Sequence, residues 1–468
     1  MRQPSPWSPR IAGGTAPLFE RLVTALADDI VQGRVAPGDR LPPHRELAWA
    51  LEIGLGTVTR AYAALERRGL VKSVHGRGMF VALPAAPEPA VVDLCVNAPP
   101  RLLDTPLLQA TLSRLASRID AVDFSHYAPA AGSPQQRAMM ARWLAEDRLQ
   151  VAPDQVLLCN GGQHALSVAV ATACRGGAPV FTEALTYPGM ITIARHAGFD
   201  LHGVALDDQG MRPDALDRAL HDHRRSTGGG GHTGGRPVVY VTPVLHNPTA
   251  RSMDRARRAA IVAVCRSHDA LIIEDDVYSV FAEPDMPPLA DLAPERCFYV
   301  TGLSKCLSPG LRIGALVAPR SLADAALSAL AAGSTMVGPL NCLMMEDWFA
   351  DGTARMLARA IRGESRTRSA LAHRLLPGRI SPTVAPGFHV WLPMAPAAAE
   401  ALALAAAARG IRVTPPSAPV VDMRIAGKGG IRLCLGGPSI EALTGALATL
   451  AGLIGSDHGD SRAADPVY

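Results

Sequence analysis

Spacing alone divides this chain into two regimes. From residue 17 to 33, Leu18, Leu22, Leu26 and Ile30 recur every fourth position, while Glu20, Arg21, Asp28 and Asp29 fall largely on other faces. That is the pattern of an amphipathic helix with proline in its first turn and glycine at its stop. Ala36-Pro-Gly-Asp39 reads as a turn, and a second, short helix is expected over about 44 to 51, broken by Gly54-Leu-Gly56. A third helix over about 57 to 68 buries Val58, Ala61, Tyr62 and Leu65 and presents Arg60, Ala64 and Arg67 elsewhere. Two short apolar runs, 71 to 74 and 79 to 81, flank His75-Gly-Arg-Gly78 and predict a hairpin.

From about residue 150 the rhythm changes. Apolar runs at 156–159, 180–182, 238–242 and 271–274 alternate with helical stretches starting near Gln163 and spanning about 190–196 and 254–268. This predicts an α/β domain with a mostly parallel sheet covered on both faces, in which ligands sit beyond the carboxyl ends of the strands. The candidate chemistry falls there. Asn160-Gly-Gly-Gln-His-Ala165 places glycines where a strand gives way to a helix, whose first amides suit an anion. Asn247 follows the 238–242 run in Pro243-Val-Leu-His-Asn-Pro-Thr249, and the carboxylates of Glu274-Asp-Asp-Val-Tyr278 end the next one. A buried carboxylate there requires a cation; an exposed acidic turn and a magnesium site are the alternatives, and no Walker sequence accompanies the latter. In Thr301-Gly-Leu-Ser-Lys-Cys-Leu-Ser-Pro-Gly-Leu-Arg-Ile-Gly314, Lys305 lies between apolar runs at 298–300 and 311–317, with Ser304 beside it and Arg312 seven residues on. A lysine so held, with hydroxyl and cationic neighbours, suits a phosphate-bearing carbonyl cofactor that its amine can attack.

Composition adds less than its distribution. The 468 residues exceed one ordinary domain. No run approaches the 18 or so apolar residues of a membrane span, and residues 1 to 10 lack the apolar core of a signal peptide, so a cytoplasmic protein is expected. The eight cysteines are scattered without a Cys-x-x-Cys pair, so neither metal nor disulfide is expected. The formal charge of +4 is unevenly placed: residues 1 to 83 hold 11 Lys+Arg against 7 Asp+Glu, and the remainder is balanced at 35 each. A nucleic-acid contact would need its excess there. Prolines and alanines mark a linker at about 84–92, Gly228–Gly231 lies in an insertion expected to be flexible, and residues 456–468 form a polar tail expected to be disordered. Core packing is the expectation for Phe388-His-Val-Trp391.

Three helices and a hairpin in this order describe a winged helix-turn-helix whose third helix enters the major groove. Leu41-Pro-Pro-His-Arg-Glu-Leu-Ala48, Thr57-Val-Thr-Arg-Ala-Tyr62 and Gly76-Arg-Gly-Met-Phe-Val81 resemble the DNA-binding domain of the GntR family. Arg45, Thr57, Thr59, Arg60, Arg77 and Gly78, with Lys72 nearby, are the candidate contacts to double-stranded DNA. Where the family usually carries a polar donor before the Thr-Val pair, this chain has Gly56.

Over about residues 95 to 455, the ordered motifs around Gly162, Tyr187, Asn247, Asp275, Tyr278, Lys305, Arg312 and Arg432 resemble the fold-type I pyridoxal-phosphate enzymes, the aspartate aminotransferase superfamily. The resemblance implies a large part at about 130–330, carrying a mostly parallel seven-stranded-type sheet. A smaller α+β part is formed by about 331–455 with the N-terminal segment. It implies a Schiff base between Lys305 and pyridoxal 5′-phosphate, with Asp275 on the ring nitrogen, and Asn247 and Tyr278 on the ring hydroxyl. Tyr187 would stack on the ring, and Gly162, Gln163, Ser304 and Arg312 would hold the phosphate. It implies too that Arg432 grips a carboxylate, and that Tyr127 reaches the partner's phosphate in a homodimer. Gly302 stands where relatives usually place a hydroxyl, with Thr301 the neighbouring one.

Head and aminotransferase-like domain together resemble the MocR subfamily of transcription regulators. The expectation is a regulator that binds an operator and senses pyridoxal phosphate or its adduct with a small amino compound. The alternatives are a working aminotransferase with an accessory DNA-binding head, and a scaffold that no longer binds the cofactor.

Overall fold

The computed structural model describes residues 7, 10–11, 13, 16–32, 34–36, 38–67, 70–74, 78–81, 91–226, 235–283, 285–383, 385–427 and 429–456. The chain divides into two compact units, Met1–Val91 and Val92–Tyr468.

In the first unit, helices Leu18–Val31, His44–Ala50 and Leu55–Arg67 close over a core containing Leu22, Leu26, Leu47, Val58, Ala61, Tyr62 and Leu65. The fourfold recurrence thus becomes one buried stripe per helix. Tyr62 donates its hydroxyl to the Pro42 carbonyl at 2.9 Å, fixing the third helix against the start of the second. Strands Val71–Val74 and Gly78–Val81 pair antiparallel, Val71 facing Val81. The third helix begins two residues earlier than expected, at Leu55, so Gly56 lies inside its first turn rather than in the break. Residues 75–77, the expected hairpin tip with Arg77, lie outside the described residues, as do 82–90 of the expected linker, 227–234 of the insertion and 457–468 of the tail.

The second unit is built on a seven-stranded sheet. Its strands run in the order Val156–Cys159, Gly314–Val317, Cys297–Gly302, Leu271–Asp275, Val238–Val241, Val180–Glu183 and Leu201–Val204. All neighbours pair parallel except those of Gly314–Val317, which is antiparallel to both of its own. The strand residues are continuously buried along six of these seven runs because helices cover both faces. Two apolar cores result. One face holds Leu158, Val239, Ile272 and Tyr299, the other Leu157, Tyr240, Ile273 and Val300.

Three boundaries differ from expectation. Val92 already belongs to a strand, Val92–Leu94, pairing with Ile411, so the joining stretch ends before it. The division at about residue 330 is also misplaced. Met345, Trp348, Leu357 and Ala358 pack on the large sheet, whereas Leu371 and Ala372, further along the same helix Thr353–Leu375, belong to a third core with Leu94, Val390, Leu433 and Leu447. One helix spanning both cores leaves no composition break to read. Leu311 and Arg312, expected within a strand, instead lie in a 3₁₀ turn and a left-handed residue (φ 48°, ψ 38°), and the strand starts at Gly314.

Candidate functional site

Beyond the carboxyl ends of the strands lies a cavity of about 450 Å³, lined by Gly162, Gln163, Tyr187, Asn247, Asp275, Tyr278, Ser304, Lys305, Arg312 and Arg432. Residues spread over 270 positions of sequence meet there because most close a strand or open the following helix or loop, while Arg432 comes from within the strand Gly429–Cys434 of a separate two-stranded sheet. Tyr127 is not among them; it stands 81% exposed.

One end of the cavity is a cradle made by close backbone approach. Gly161 (φ 87°) precedes the helix Gly162–Ala173. A Cβ at Gly302 would stand 3.0 Å from the Gly162 nitrogen, and one at Gly314 2.5 Å from the Gly161 carbonyl carbon. The first amides of the helix therefore press against two strand ends. Arg312 lies over them, donating to the Asn160 carbonyl at 3.2 Å and toward Ser304 Oγ at 3.4 Å. A helix N-terminus with an adjoining guanidinium and hydroxyl suits a phosphate. Thr301, the neighbouring hydroxyl, is not part of it: its side chain donates to the Asp276 carbonyl at 3.2 Å.

The three consecutive carboxylates separate by strand alternation. Glu274 accepts from the Leu289 and Ala290 amides at 2.9 and 2.8 Å, and Asp276 accepts from buried Arg148 at 2.7 Å. Asp275 alone faces the cavity, its Oδ2 accepting from the Tyr240 hydroxyl at 2.8 Å. Its Oδ1 is buried with no hydrogen-bond partner among the described residues. Burial pushes the carboxyl up to about 6, while the Tyr240 hydrogen bond pulls the other way. A buried acceptor lacking a donor, at the opposite side of a cavity that ends in an anion cradle, fits a protonated ring nitrogen. Pyridoxal phosphate has both groups. Among the described residues no acidic or His/Cys cluster could hold a metal ion.

Lys305 follows the strand Cys297–Gly302 in a tight turn, and its Nζ donates to the Asn97 carbonyl. Burial lowers its amine to about 8, and Arg432 and Arg312 press the same way. A substantial neutral fraction near pH 7 to 8 makes it a competent nucleophile. Arg432 donates to Asn247 Oδ1 at 2.6 Å, the Cys95 carbonyl at 2.9 Å and Thr414 Oγ1 at 3.0 Å. Its Nε is buried without a partner among the described residues. Tyr187 donates to Gln163 Oε1 at 2.8 Å. Its ring occupies the space above Gly189, where a Cβ would stand 2.3 Å from it.

Asn97, Tyr240 and His389 were not found from sequence. Asn97 lines the cavity, donates to the Tyr278 hydroxyl at 2.7 Å and receives Lys305 on its carbonyl. It follows the proline-rich stretch with no motif of its own. Tyr240 sits in parallel register with Ile273, two residues from Asp275, on the adjoining strand; a run of Val-Val-Tyr-Val carries no sign of that neighbour. His389, read as core, is buried and neutral, lowered to about 3 by burial, and its ring lies 5.4 Å from that of Tyr278. All eight cysteines are free.

In the head, Arg45, Thr59 and Arg60 are exposed, Thr57 is half-buried, and Gly78 opens the second wing strand. The Arg60 guanidinium lies 4.6 Å over the Phe19 ring, and Thr59 donates to the Leu55 carbonyl at 3.0 Å. No helix among the described residues is long and apolar enough to cross a membrane.

Residues 89–450 match the family described as aminotransferase class I and II, and residues 18–81 match bacterial regulatory proteins of the gntR family. The chain is 28% identical over 402 residues to the vitamin B6 salvage pathway transcriptional repressor PtsJ of Salmonella typhimurium, covering 82% of this chain and 86% of that one. It is 27% identical over 361 residues to the pyridoxine biosynthesis transcriptional regulator PdxR of Corynebacterium glutamicum, covering 74% and 76%. Among solved structures, an archaeal alanine:glyoxylate aminotransferase shares the fold with a TM-score of 0.71 at 23% identity, covering 86% of this chain and 95% of that one.

Proposed function

Since this chain belongs to the class I and II aminotransferase family and carries a gntR-family domain ahead of it, we propose that it is a DNA-binding transcription regulator governed by pyridoxal phosphate and a small amino compound. The observation that carries the reading is the fusion itself: a helix-turn-helix in one chain with an aminotransferase-like domain whose cavity is lined by Lys305. The likeness to PtsJ and PdxR, named as regulators of vitamin B6 salvage and pyridoxine biosynthesis, favours regulation over turnover.

When bound, pyridoxal phosphate supplies an aldehyde that condenses with amines and a ring that draws electrons. The chain's own groups do the rest. Gly162, Gln163, Ser304 and Arg312 hold the phosphate, Tyr187 covers the ring, and Asn247 and Tyr278 meet the ring hydroxyl. Asp275 Oδ1 would accept a hydrogen bond from the ring N–H and so keep that nitrogen protonated, and Lys305 Nζ would be the attaching amine. Arg432 grips the effector's carboxylate through the guanidinium edge that includes its free Nε. Tyr127, exposed and away from its own cavity, serves the partner's phosphate in a homodimer.

Lys305 and Arg432 also tie the site to the start of the second unit. They donate to the carbonyls of Asn97 and Cys95, which directly follow the strand Val92–Leu94. A ligand that engages either cation competes with those contacts, so two arrangements of this segment bind it with different affinity, as regulation requires.

The test is an absorbance titration with pyridoxal phosphate and a panel of amino compounds, with operator binding measured in parallel. The expected result is a shift in operator affinity on titration; unchanged affinity throughout sinks the sensing role. Lys305→Ala should abolish borohydride-fixable attachment of the coenzyme, and persistent attachment would remove Lys305 from the site. The competing reading is a working aminotransferase, favoured by the pairing of Lys305 with Arg432 in one cavity. Steady turnover with an amino and a keto acid above about 1 s⁻¹ would support it.

A further inference from the structure

The helix-turn-helix carries an apolar patch where hydrogen-bond donors to bases are expected. Trp49, near the end of the second helix, is 86% exposed, and Leu55, the first residue of the third, is 45% exposed. Both border one open surface groove with Arg45, which lies one helical turn before Trp49. These side chains are not displaced core, since Leu22, Leu26, Val58 and Leu65 fill the head's interior.

Two of the polar groups near Leu55 are otherwise engaged. Thr59 donates to the Leu55 carbonyl at 3.0 Å, and the Arg60 guanidinium rests over Phe19. Gly56 has no side chain, and a Cβ built on it would meet nothing within 4 Å. The first two residues of the third helix, Leu55 and Gly56, therefore present no hydrogen-bonding side chain. In a helix-turn-helix the first residues of that helix meet base edges. Among major-groove edges only thymine, through its C5-methyl, offers a base-specific apolar contact.

We infer that the head reads its operator through contact of Leu55 with a thymine C5-methyl. Gly56 lets the helix end approach closely, Trp49 screens the contact from water, and Arg45 supplies charge toward the adjoining phosphates. The inference rests on the operator-binding role proposed above and names the base and group that role recognises.

The experiment begins with selection of duplexes from a random pool by the full-length protein. Each thymine of the enriched site is then replaced by uracil, which removes the methyl and keeps the pairing. At one position per half-site, wild-type affinity should fall about fourfold or more, the loss of one buried methyl-sized contact. Leu55→Ala should bind about as weakly as the wild type binds the uracil duplex and lose its sensitivity to uracil there. Leu55→Met, which keeps an apolar reach, should retain that sensitivity. Uracil tolerance within twofold at every position, or undiminished sensitivity in Leu55→Ala, overturns the inference and leaves operator binding intact. Enrichment of no duplex at all overturns both.

Discussion

At the residue scale, burial moves Lys305 and Asp275 toward each other. It lowers the amine to about 8 and raises the carboxyl to about 6, so each is easier to neutralise than in water. The neutral amine is the form that attacks, so the rate of coenzyme attachment to the apoprotein should rise with pH up to about 8 and level off above it. Stopped-flow absorbance would check this; a rate still rising about tenfold between pH 8 and pH 9 would place the amine at its ordinary value. Tyr240 acts on Asp275 in the opposite sense to burial, its hydroxyl bonding the ionised form. Tyr240→Phe should raise the Asp275 pKa further and weaken coenzyme retention about tenfold near pH 7, in keeping with loss of one hydrogen bond to a charged group. Equal retention by variant and wild type would show that Tyr240 serves packing alone.

Elements matter here chiefly by how closely they approach. The helix Gly162–Ala173 starts against the ends of Cys297–Gly302 and Gly314–Val317, and glycine on both strands is what admits it. Gly302 looks in sequence like a lost phosphate ligand. In the structure a side chain there meets backbone, 3.0 Å from the Gly162 nitrogen and 3.3 Å from its Cα, so there is little freedom to yield. Gly302→Ser should therefore lower stability by about 1 to 3 kcal/mol through overpacking and loosen coenzyme binding, despite adding the hydroxyl. Chemical denaturation and coenzyme titration test both; a tighter, equally stable variant would mean that the cradle has room to spare.

For the whole molecule, regulation requires free-energy coupling between coenzyme site and operator, and such coupling is reciprocal. Whatever factor pyridoxal phosphate applies to operator affinity, the operator should apply to pyridoxal phosphate affinity; unequal factors at equilibrium would exclude a single coupled equilibrium. The sequence alone determined both units. Fourfold recurrence in Leu18 to Ile30 and the unbroken apolar runs at 156–159 and 271–274 follow from local periodicity, which burial then satisfies. It also pointed to Asp275 and Lys305 at or just beyond strand ends, which in a sheet of this type face one side, and to Arg432 only through the family resemblance. The tertiary structure decided what depends on neighbours distant in sequence. Parallel strands set Tyr240 beside Asp275, and the pairing of Val92–Leu94 with Ile411–Val413 brought Asn97 to Lys305. The helix Thr353–Leu375 joined two cores across an expected boundary, and the third helix of the head began at Leu55 with its apolar side chain exposed. None of these leaves a local mark, because each is a contact that only the folded chain creates.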